Sequence, residues 1–452
     1  MKKGKFNREI FGWIAYDWAN SAFYTTVITV LVGPYLQALA EDQVGKTGVI
    51  FDLGLFGVVT PQSIFPFVLL VSNIAQALYF PILGSIADYT HLKKKLLILF
   101  SYSGVFFGGL LFFITSDSYL WGYLFLIFAN MSFVGANTLY NAFLNEVTEP
   151  EVRDKVSSWG YASGYLGGVV MLAANLVLIG GHETLGIEKG FAVRISMLAA
   201  SIWWGLFGLI TFFTLRERKP ERQVPHGKSV LTIGFSELWS NLKELKGLRY
   251  TLLFLLGYLL YNDGIQTVIS QSSIFLSYEL FDAKGIPRDE GFLLGIFLVA
   301  QFFAFIGAIV FERISRVIGP KATILYCLSL WILIVVYAYG FLDEKFEAWI
   351  MGVGIGLVLG STQALSRSLF SRMIPAGREA AFFSMYELSE RGTSWLGNLV
   401  FFLVLQQTGS YRHAILALIF FFISGSIVLF FTDVQRAMRD AASVHHKDLE
   451  AG

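Results

Sequence analysis

The chain has 452 residues, of which 34 are Lys or Arg and 33 are Asp or Glu, so its formal net charge is only +1. A near-neutral chain lacks the basic surface of a nucleic-acid-binding protein, and we predict no nucleic-acid partner. Charged residues make up 15% and apolar residues 55% of the chain, whereas soluble domains contain roughly 25% charged residues. The single cysteine, Cys327, excludes an intramolecular disulfide and a cysteine zinc site. These features predict a membrane protein without a cofactor or metal site.

The apolar residues are gathered into stretches long enough to cross a bilayer as a helix, about 20 residues each. The first stretch follows three lysines, but it is much longer than the roughly 7–15 residues of a signal-peptide core, and it contains Asp17 and Asn20. We therefore interpret it as a retained helix. The sequence predicts an all-α membrane fold of twelve spans, at residues 10–39, 63–87, 95–115, 119–144, 157–180, 191–214, 250–279, 290–312, 321–342, 346–370, 381–406 and 411–432.

The connections between the spans predict how the chain is divided and oriented. Residues 215–249 form the longest polar connection, a cytoplasmic linker between an N-terminal six-helix bundle (1–214) and a C-terminal one (250–452). The loop 41–62 is apolar enough to enter the membrane interface, although the sequence does not place it. Lys and Arg concentrate at both termini and in the loops on their side, so the positive-inside rule predicts cytoplasmic termini.

An internal repeat relates spans four and five to spans ten and eleven at a separation of 225 residues. It places a Pro-x-x-Arg turn in the same loop of each half. Two halves built as parallel repeats, with substrate bound between them near the midplane, are the arrangement of major facilitator transporters. The matching pairs are Gly135 and Gly360, Leu144 and Leu369, Pro150 and Pro375, Arg153 and Arg378, Tyr161 and Tyr386, and Gly167 and Gly392.

The loop after the second span resembles the G-x-x-x-D-R-x-G-R-K signature of that superfamily. Gly84 and Asp88 match its first positions, and Lys93 and Lys94 follow with Lys95. The glycine permits close helix approach, while the aspartate and the cations can hold the cytoplasmic side closed through a contact with a helix end. The positive-inside rule alone explains the lysines but not Gly84 and Asp88. The corresponding loop of the second half lacks the Gly and Asp, so a second contact of this kind is doubtful.

Several further strings are spread over both halves: YDWANS (16–21), GYASGYLGG (160–168), YNDG (261–264), QTVI (266–269), TQALSRS (362–368) and GREA (377–380). They resemble one family of the superfamily, the vacuolar amino-acid effluxers linked to autophagy in fungi and their bacterial relatives, and the resemblance covers essentially the whole chain. The resemblance implies export of amino acids, most of all neutral ones, across the vacuolar membrane in a fungus or the inner membrane in a bacterium.

Asp263 lies near the middle of the seventh span, where a carboxylate costs at least about 2.5–3.5 kcal/mol. Asn262 and Gln266 extend the polar face around it. We interpret Asp263 as a substrate contact or as the proton-coupling group. The alternative is a structural hydrogen bond to a neighbouring helix.

The first span carries Asp17, Asn20, Ser21 and Tyr24 at helical spacing on one face. This face is a candidate substrate-binding or coupling surface. Asp17 lies in the inner third of the span, where a role in a cytoplasmic gate is as well supported as a contact with the substrate.

The fourth span carries a stripe of asparagines that must face protein or water rather than lipid. Amides offer both donors and acceptors, which suit the ammonium and carboxylate of a zwitterion. Interhelical hydrogen bonds, worth on average about 0.6 kcal/mol, are the alternative. The stripe consists of Asn130, Asn137, Asn141 and Asn145.

The tenth and eleventh spans carry further polar residues near their cytoplasmic ends. Gln363 and Arg367 lie one turn apart, and Arg367 either grips a substrate carboxylate or, as its position favours, extends to the membrane interface. Glu387 and Arg391 have the i, i+4 spacing of an ion pair, which leaves Glu390 in need of a partner or a proton. We interpret these three as a charge network near a gate.

Two sets of glycines recur every four residues and predict close helix packing. They are Gly160, Gly164 and Gly168, and Gly352, Gly356 and Gly360.

Taken together, the residues predict a monomeric secondary transporter in the lipid bilayer that exports a small molecule by alternating access. Secondary transport is favoured because the sequence contains no GxxxxGK[ST] phosphate-binding loop. Proton coupling is a hypothesis that depends on Asp263, Asp17 and Glu390. The alternatives are an exporter of sugars, peptides or drugs, and a lipid-translocating protein. An enzyme is not predicted, because no nucleophile, base and metal set emerges.

Overall fold

A computed structural model of the chain shows a bundle of long helices. The predicted linker lies mostly outside the part that the structure describes. The described residues are 7–46, 48–52, 54, 58–61, 64–218, 247–286, 290–391 and 394–451.

The N-terminal half opens with one long helical rod made of three joined segments. The side chain of Asn7 accepts a hydrogen bond from the Ile10 amide (2.9 Å) and so caps the first turn. Halfway along, the rod loosens into a π-helical stretch at Tyr24–Leu31, which the sequence did not predict; such stretches are frequent at functional sites. The helices of this half are α1 Arg8–Phe23, α2 Val32–Val44, α3 Ile64–Tyr89, α4 Lys93–Leu110, α5 Tyr119–Val147, α6 Arg153–Gly180 and α7 Lys189–Thr214.

The C-terminal half has the same kind of helices and one additional helix at its end. Residue Asp433 accepts a hydrogen bond from the Arg436 amide (3.0 Å) and starts this last helix, which was not predicted. The helices are α8 Arg249–Leu280, α9 Glu290–Ile318, α10 Pro320–Gly340, α11 Lys345–Ser371, α12 Glu379–Arg391, α13 Ser394–Thr408, α14 Tyr411–Ala417, α15 Ile419–Phe431 and α16 Val434–Ala451.

Ten helical segments of the described chain are long and apolar enough to cross a membrane, and they coincide with ten of the predicted spans. The predicted second span corresponds to α3, and the predicted eleventh to α12 and α13 together. Neither belongs to the set of ten, so the count of twelve stays a prediction. The division into two bundles at residues 215–249 stays a prediction as well.

The loop at 41–62 contains a short antiparallel hairpin that the sequence did not predict. Strand β1 (Phe51–Asp52) pairs with β2 (Val58–Val59), with Phe51 opposite Val59 and Asp52 opposite Val58. Val59 is buried, whereas Phe51 is exposed.

The two predicted glycine faces are sites of close helix packing. A Cβ at Gly164 would lie 2.5 Å from the Ser21 hydroxyl of α1. In the C-terminal half, a Cβ at Gly360 would overlap the backbone carbonyl of Ala304 in α9. The packing role predicted for these glycines is confirmed, because a side chain at either position would overlap an atom of the neighbouring helix. At Gly360 this atom belongs to the backbone, which cannot move aside as a flexible side chain can.

We expect Gly360→Ala to lower the free energy of unfolding by about 1–3 kcal/mol, because the added methyl group overpacks the contact between α11 and α9. Thermal unfolding of the purified protein measures the change. Gly340→Ala is the matched control, since a Cβ at Gly340 would meet no atom within 4 Å. Equal losses of stability in the two variants would contradict this account of the packing.

The two halves meet along α6, which packs against α9 and α11, and along α12, which packs against α3 and α5. Polar contacts across this boundary cluster toward one end of the bundle, where α5 and α11 end and α4, α6 and α12 begin. We call this the basic end, after Lys93, Lys94, Arg153 and Arg372.

Candidate functional site between the two halves

A buried ion pair joins the two halves near the basic end. Arg367 of α11 is 2% exposed, and its Nη2 lies 3.2 Å from Oδ2 of Asp17 in α1. The Tyr140 hydroxyl of α5 donates to the same oxygen at 2.9 Å. Removing one partner of a buried pair leaves an uncompensated charge, which typically costs about 3–5 kcal/mol. The pair joins α1 to α11, although 350 residues separate Asp17 and Arg367 in the chain.

The remaining donors of the Arg367 guanidinium are bound within the same site. Its Nε donates to the Ser157 hydroxyl (3.0 Å), its Nη2 to the Ser157 carbonyl (2.9 Å) and its Nη1 to Oδ1 of Asn141 (3.2 Å). The expectation that Arg367 extends to the membrane interface is wrong. Its partners all belong to the opposite half of the chain, and only the packed bundle brings them close enough to hold the guanidinium inside.

Gly160 of α6 makes room for this ion pair. A Cβ at Gly160 would lie 2.5 Å from Oδ2 of Asp17 and 2.9 Å from Nη2 of Arg367. Any side chain at Gly160 would therefore push the carboxylate and the guanidinium apart.

Asn141 links the ion pair to the buried carboxyl of Glu387 in α12. Its oxygen accepts from Arg367, and its Nδ2 donates to Oε1 of Glu387 at 2.8 Å. Glu387 is 1% exposed. The side chains of Glu390 and Arg391 lie outside the described residues, so the predicted charge network is described only as far as Glu387.

Asp88 of α3 forms a second contact between the halves, with the first turn of α12. Its carboxylate accepts hydrogen bonds from the amides of Ala380 (3.0 Å) and Ala381 (2.8 Å). Two free amides and the helix dipole make the start of a helix a favourable place for a carboxylate. Gly84 permits the approach, since a Cβ there would lie 2.6 Å from the Ala380 carbonyl.

Lys93 and Lys94, which were both predicted to act with Asp88, bind different partners. Lys93 lies 3.5 Å from Asp88 and 2.8 Å from Glu146, so it neutralises both carboxylates. Lys94 instead donates to the Leu215 carbonyl within its own half (2.7 Å). In this structure, Lys93 supports the contact between the halves, and Lys94 does not take part in it.

Glu379, just outside the predicted eleventh span, is a buried titratable neighbour of the Asp88 contact. Burial raises the pKa of the Glu379 carboxyl to about 7; the Lys93 ammonium lowers this pKa in part, and the Asp88 carboxylate raises it further. The closed contact therefore binds a proton more readily than an exposed glutamate, with an ordinary pKa near 4.5, would.

We expect the Asp88 contact to be more stable at pH 6 than at pH 8. The stabilisation is complete below the ordinary pKa of Glu379 and is lost as the pH rises through about 7, because a charged Glu379 is unfavourable when buried. Hydrogen exchange of the Ala380 and Ala381 amides, corrected for intrinsic rates, measures this stability. Glu379→Gln should weaken the pH dependence. An unchanged dependence in that variant would contradict the assignment to Glu379.

Further hydrogen bonds and an ion pair close the basic end around these two contacts. Asp154 at the start of α6 lies 2.7 Å from Arg372 at the end of α11. Asn145 (2.9 Å) and Arg153 (3.2 Å) both donate to the Ser371 carbonyl. The basic end is thus held shut by contacts between the two halves.

The asparagine stripe of α5 forms hydrogen bonds between helices along its length. Beside Asn141 and Asn145, Asn130 donates to the Ser72 hydroxyl (3.0 Å), and Oδ1 of Asn137 accepts from Asn20 (3.0 Å). In this structure, the asparagines form the interhelical hydrogen bonds that were the alternative to binding a zwitterion.

The other candidates of the first and tenth spans lie deeper in the bundle. Tyr24 stacks on Phe133, with 4.8 Å between the ring centroids. Gln363 donates to Oδ1 of Asn262 at 2.9 Å, which connects α11 to α8 within the C-terminal half.

Asp263 of α8 is almost fully buried, at 1% exposed. Its Oδ2 accepts a hydrogen bond from the Gly397 amide of α13 (2.7 Å), whereas its Oδ1 has no hydrogen-bond partner in the described part of the chain. The hydroxyl of Thr267, one turn along α8, is buried and equally without a partner there. Gln266 beside them is half-buried. Among the described residues, the seventh span thus holds a buried carboxylate with one oxygen that accepts no hydrogen bond.

Comparison with known proteins places the chain. A family model described as "Vacuole effluxer Atg22 like" matches residues 5–442. The chain belongs to this Atg22-like family. It is 30% identical to the "Uncharacterized MFS-type transporter YxiO" of Bacillus subtilis (strain 168), covering 96% of this chain and 99% of that one. It is 24% identical to "Autophagy-related protein 22" of Gibberella zeae, with 97% of this chain and 81% of that one covered.

Solved structures show the fold of this Atg22-like protein. The human organic anion transporter MFSD10 (TETRAN) superposes with a TM-score of 0.65 at 12% identity, covering 93% of this chain and 99% of that one. The major facilitator transporter FucP, in its outward conformation, superposes with a TM-score of 0.63 at 12% identity, covering 94% and 98%. The Atg22-like chain is a multi-pass integral membrane protein with a major facilitator fold, a transporter and not an enzyme.

Several residues of the site were missed by the sequence reasoning. Tyr140, whose hydroxyl donates to Asp17, carries no distinguishing signal in a chain with 16% aromatic residues. The repeated Pro-x-x-Arg turn did point to the loop that holds Asp154, although it singled out Arg153 rather than its neighbour.

Proposed function

We propose that the protein exports neutral amino acids by alternating access between its two halves, acting as a monomer with the basic end in the cytoplasm. The observation that carries the proposal is the buried Asp17–Arg367 pair, which joins helices of opposite halves toward one end of the bundle. A contact of this kind can hold one entrance shut and must break when that entrance opens.

The closed basic end supports an outward-facing state. The Asp88 contact with α12 and the Asp154–Arg372 pair close the same end. Two of the structural neighbours, FucP and a bacterial homologue of the iron transporter ferroportin, were captured outward-facing. Opening of the basic end would then admit cytoplasmic substrate, as export requires.

The polar groups of the spans support a zwitterionic cargo. Carboxylate groups at Asp17 and Asp263 suit an ammonium group, and the amides of Asn20 and Asn137 offer donors for a carboxylate. Neutral amino acids carry both groups with no further charge. The family name, which describes vacuole effluxers, supports export rather than uptake.

Proton coupling is assigned to Asp263. Its buried Oδ1 has no hydrogen-bond partner among the described residues, so protonation there removes a buried charge without breaking a contact. Substrate and proton would then move in opposite directions through the same cycle.

Release of a mixed amino-acid load from proteoliposomes, read by mass spectrometry with and without a pH gradient, tests the proposal. We expect selective loss of a few neutral amino acids, faster with the gradient. Release at the same rate with and without the gradient would support the amino-acid cargo and refute the proton coupling. Retention of all amino acids by folded protein would refute the cargo, and the same assay loaded with sugars, peptides or labelled lipids would then identify the alternative.

A further inference from the structure

Three aromatic rings surround the guanidinium of Arg367. Its central carbon lies 4.1 Å from the ring centroid of Tyr161, 4.7 Å from that of Trp13 and 5.8 Å from that of Tyr140. With the Asp17 carboxylate these rings form an enclosure that we call the aromatic cage: Trp13, Asp17, Tyr140 and Tyr161. All four residues belong to the N-terminal half, whereas the cation they hold belongs to the C-terminal half.

Three of the four residues of the aromatic cage are joined by contacts within their own half. Trp13 and Tyr140 stack with 4.5 Å between their ring centroids, and the Trp13 indole donates to the Tyr140 carbonyl at 3.0 Å. The Tyr140 hydroxyl holds the Asp17 carboxylate in place. None of these contacts involves Arg367. Trp13, Asp17 and Tyr140 are therefore joined to one another without Arg367.

Opening of the basic end must withdraw Arg367 from the aromatic cage, because the guanidinium and the cage move with different halves. Withdrawal leaves the Asp17 carboxylate among aromatic walls without its counterion. A buried charge in that position strongly favours a new cation. A carboxylate combined with several aromatic faces is an arrangement that selects organic cations such as ammonium groups.

We infer that the aromatic cage binds the primary ammonium group of the transported substrate in the state where the basic end is open. Arg367 is then a tethered competitor that occupies the ammonium site whenever the basic end is closed. The inference rests on the proposed function for the identity of the substrate. It adds a specific site for one of the substrate's groups and a reason why bound substrate and a closed basic end exclude each other.

The test fills the aromatic cage with a free cation after the tethered one is removed. Arg367→Ala in the full-length protein leaves the cage empty, and guanidinium chloride is the probe that matches the lost group. We expect a saturable rise in the Tm of this variant, half-complete at about 1–10 mM guanidinium. Methylammonium chloride, the simplest primary ammonium, should produce the same kind of rise. Sodium chloride at equal concentration should not.

Matched variants separate this effect from a general effect of salt. Arg372→Ala also removes an arginine from an ion pair between the halves, but that pair lies outside the aromatic cage, so neither cation should raise its Tm. Adding Asp17→Asn to Arg367→Ala should abolish the rise. If Arg367→Ala does not fold, Arg367→Gln, with a side chain nearer in length, serves in its place.

The inference is overturned if neither cation raises the Tm of the Arg367 variant, or if sodium chloride, the wild type or the Arg372 variant responds equally. A response to guanidinium but not to methylammonium would overturn the assignment to a primary ammonium group. These measurements need no transport. Failure of amino-acid export in proteoliposomes would thus refute the proposed function without refuting the cation site in the aromatic cage. Export of amino acids without any rise in Tm would refute the cation site without refuting the proposed function.

Discussion

Asp17→Asn is expected to lower the free energy of unfolding by about 3–5 kcal/mol, because it leaves the buried Arg367 guanidinium without its counterion. The loss should appear both in thermal unfolding and as easier opening of the basic end. Ser371→Cys in a Cys327→Ser background reports that opening through its rate of alkylation, because the Ser371 backbone accepts two of the inter-half hydrogen bonds.

Two comparisons isolate the ion pair. The double variant Asp17→Asn with Arg367→Gln should lose less than the sum of the single variants, since neither unpaired charge remains. Asp154→Asn should cost less than Asp17→Asn, because Asp154 and its partner Arg372 are 15% and 18% exposed, whereas Arg367 is 2% exposed. A loss for Asp17→Asn no larger than that for Asp154→Asn would show that burial does not strengthen the Asp17 pair.

Asp263→Asn is expected to abolish accumulation driven by a pH gradient while exchange of substrate across the membrane continues. The amide has nearly the same shape as the carboxyl group but cannot take up or release a proton. Its oxygen can still accept the hydrogen bond from the Gly397 amide, so the junction of α8 and α13 should remain intact. Counterflow and gradient-driven uptake into proteoliposomes measure the two activities separately.

Asp263→Glu is the control for this result, because it keeps a titratable group on the same turn of α8. It should retain part of the gradient-driven accumulation. Equal losses of exchange and accumulation in Asp263→Asn would refute the coupling role and leave Asp263 as a structural or substrate-binding residue.

The polar residues inside the spans were predicted better than their partners. Asp17, Asn141 and Arg367 stood out in sequence because a polar group within an apolar stretch is unfavourable unless something binds it. Their alternatives stayed open, since the sequence of one helix does not say which helix faces it. Arg367 shows the consequence. Its position near a helix end favoured extension to the interface, yet packing against α1 and α6 places it 2% exposed beside Asp17.

The glycines and the Asp88 loop were easier to interpret because their signals are local. Gly84 and Asp88 match the start of the superfamily signature, and the resemblance implies a close approach to a helix end regardless of which helix supplies it. Lys94, which was predicted to act with Asp88, instead binds the Leu215 carbonyl, a backbone group for which a sequence carries no signal.

The sequence by itself determined that this chain lies in a membrane, where most of its helices run and which residues in them are too polar to face lipid. These properties follow from composition and spacing along one helix, since water and lipid act on each segment separately. Only the tertiary structure decided that Asp17 and Arg367 form one site, that three aromatic rings enclose the guanidinium and that the basic end is closed. Those facts depend on which faces of helices 350 residues apart pack together, a choice made by the whole bundle at once.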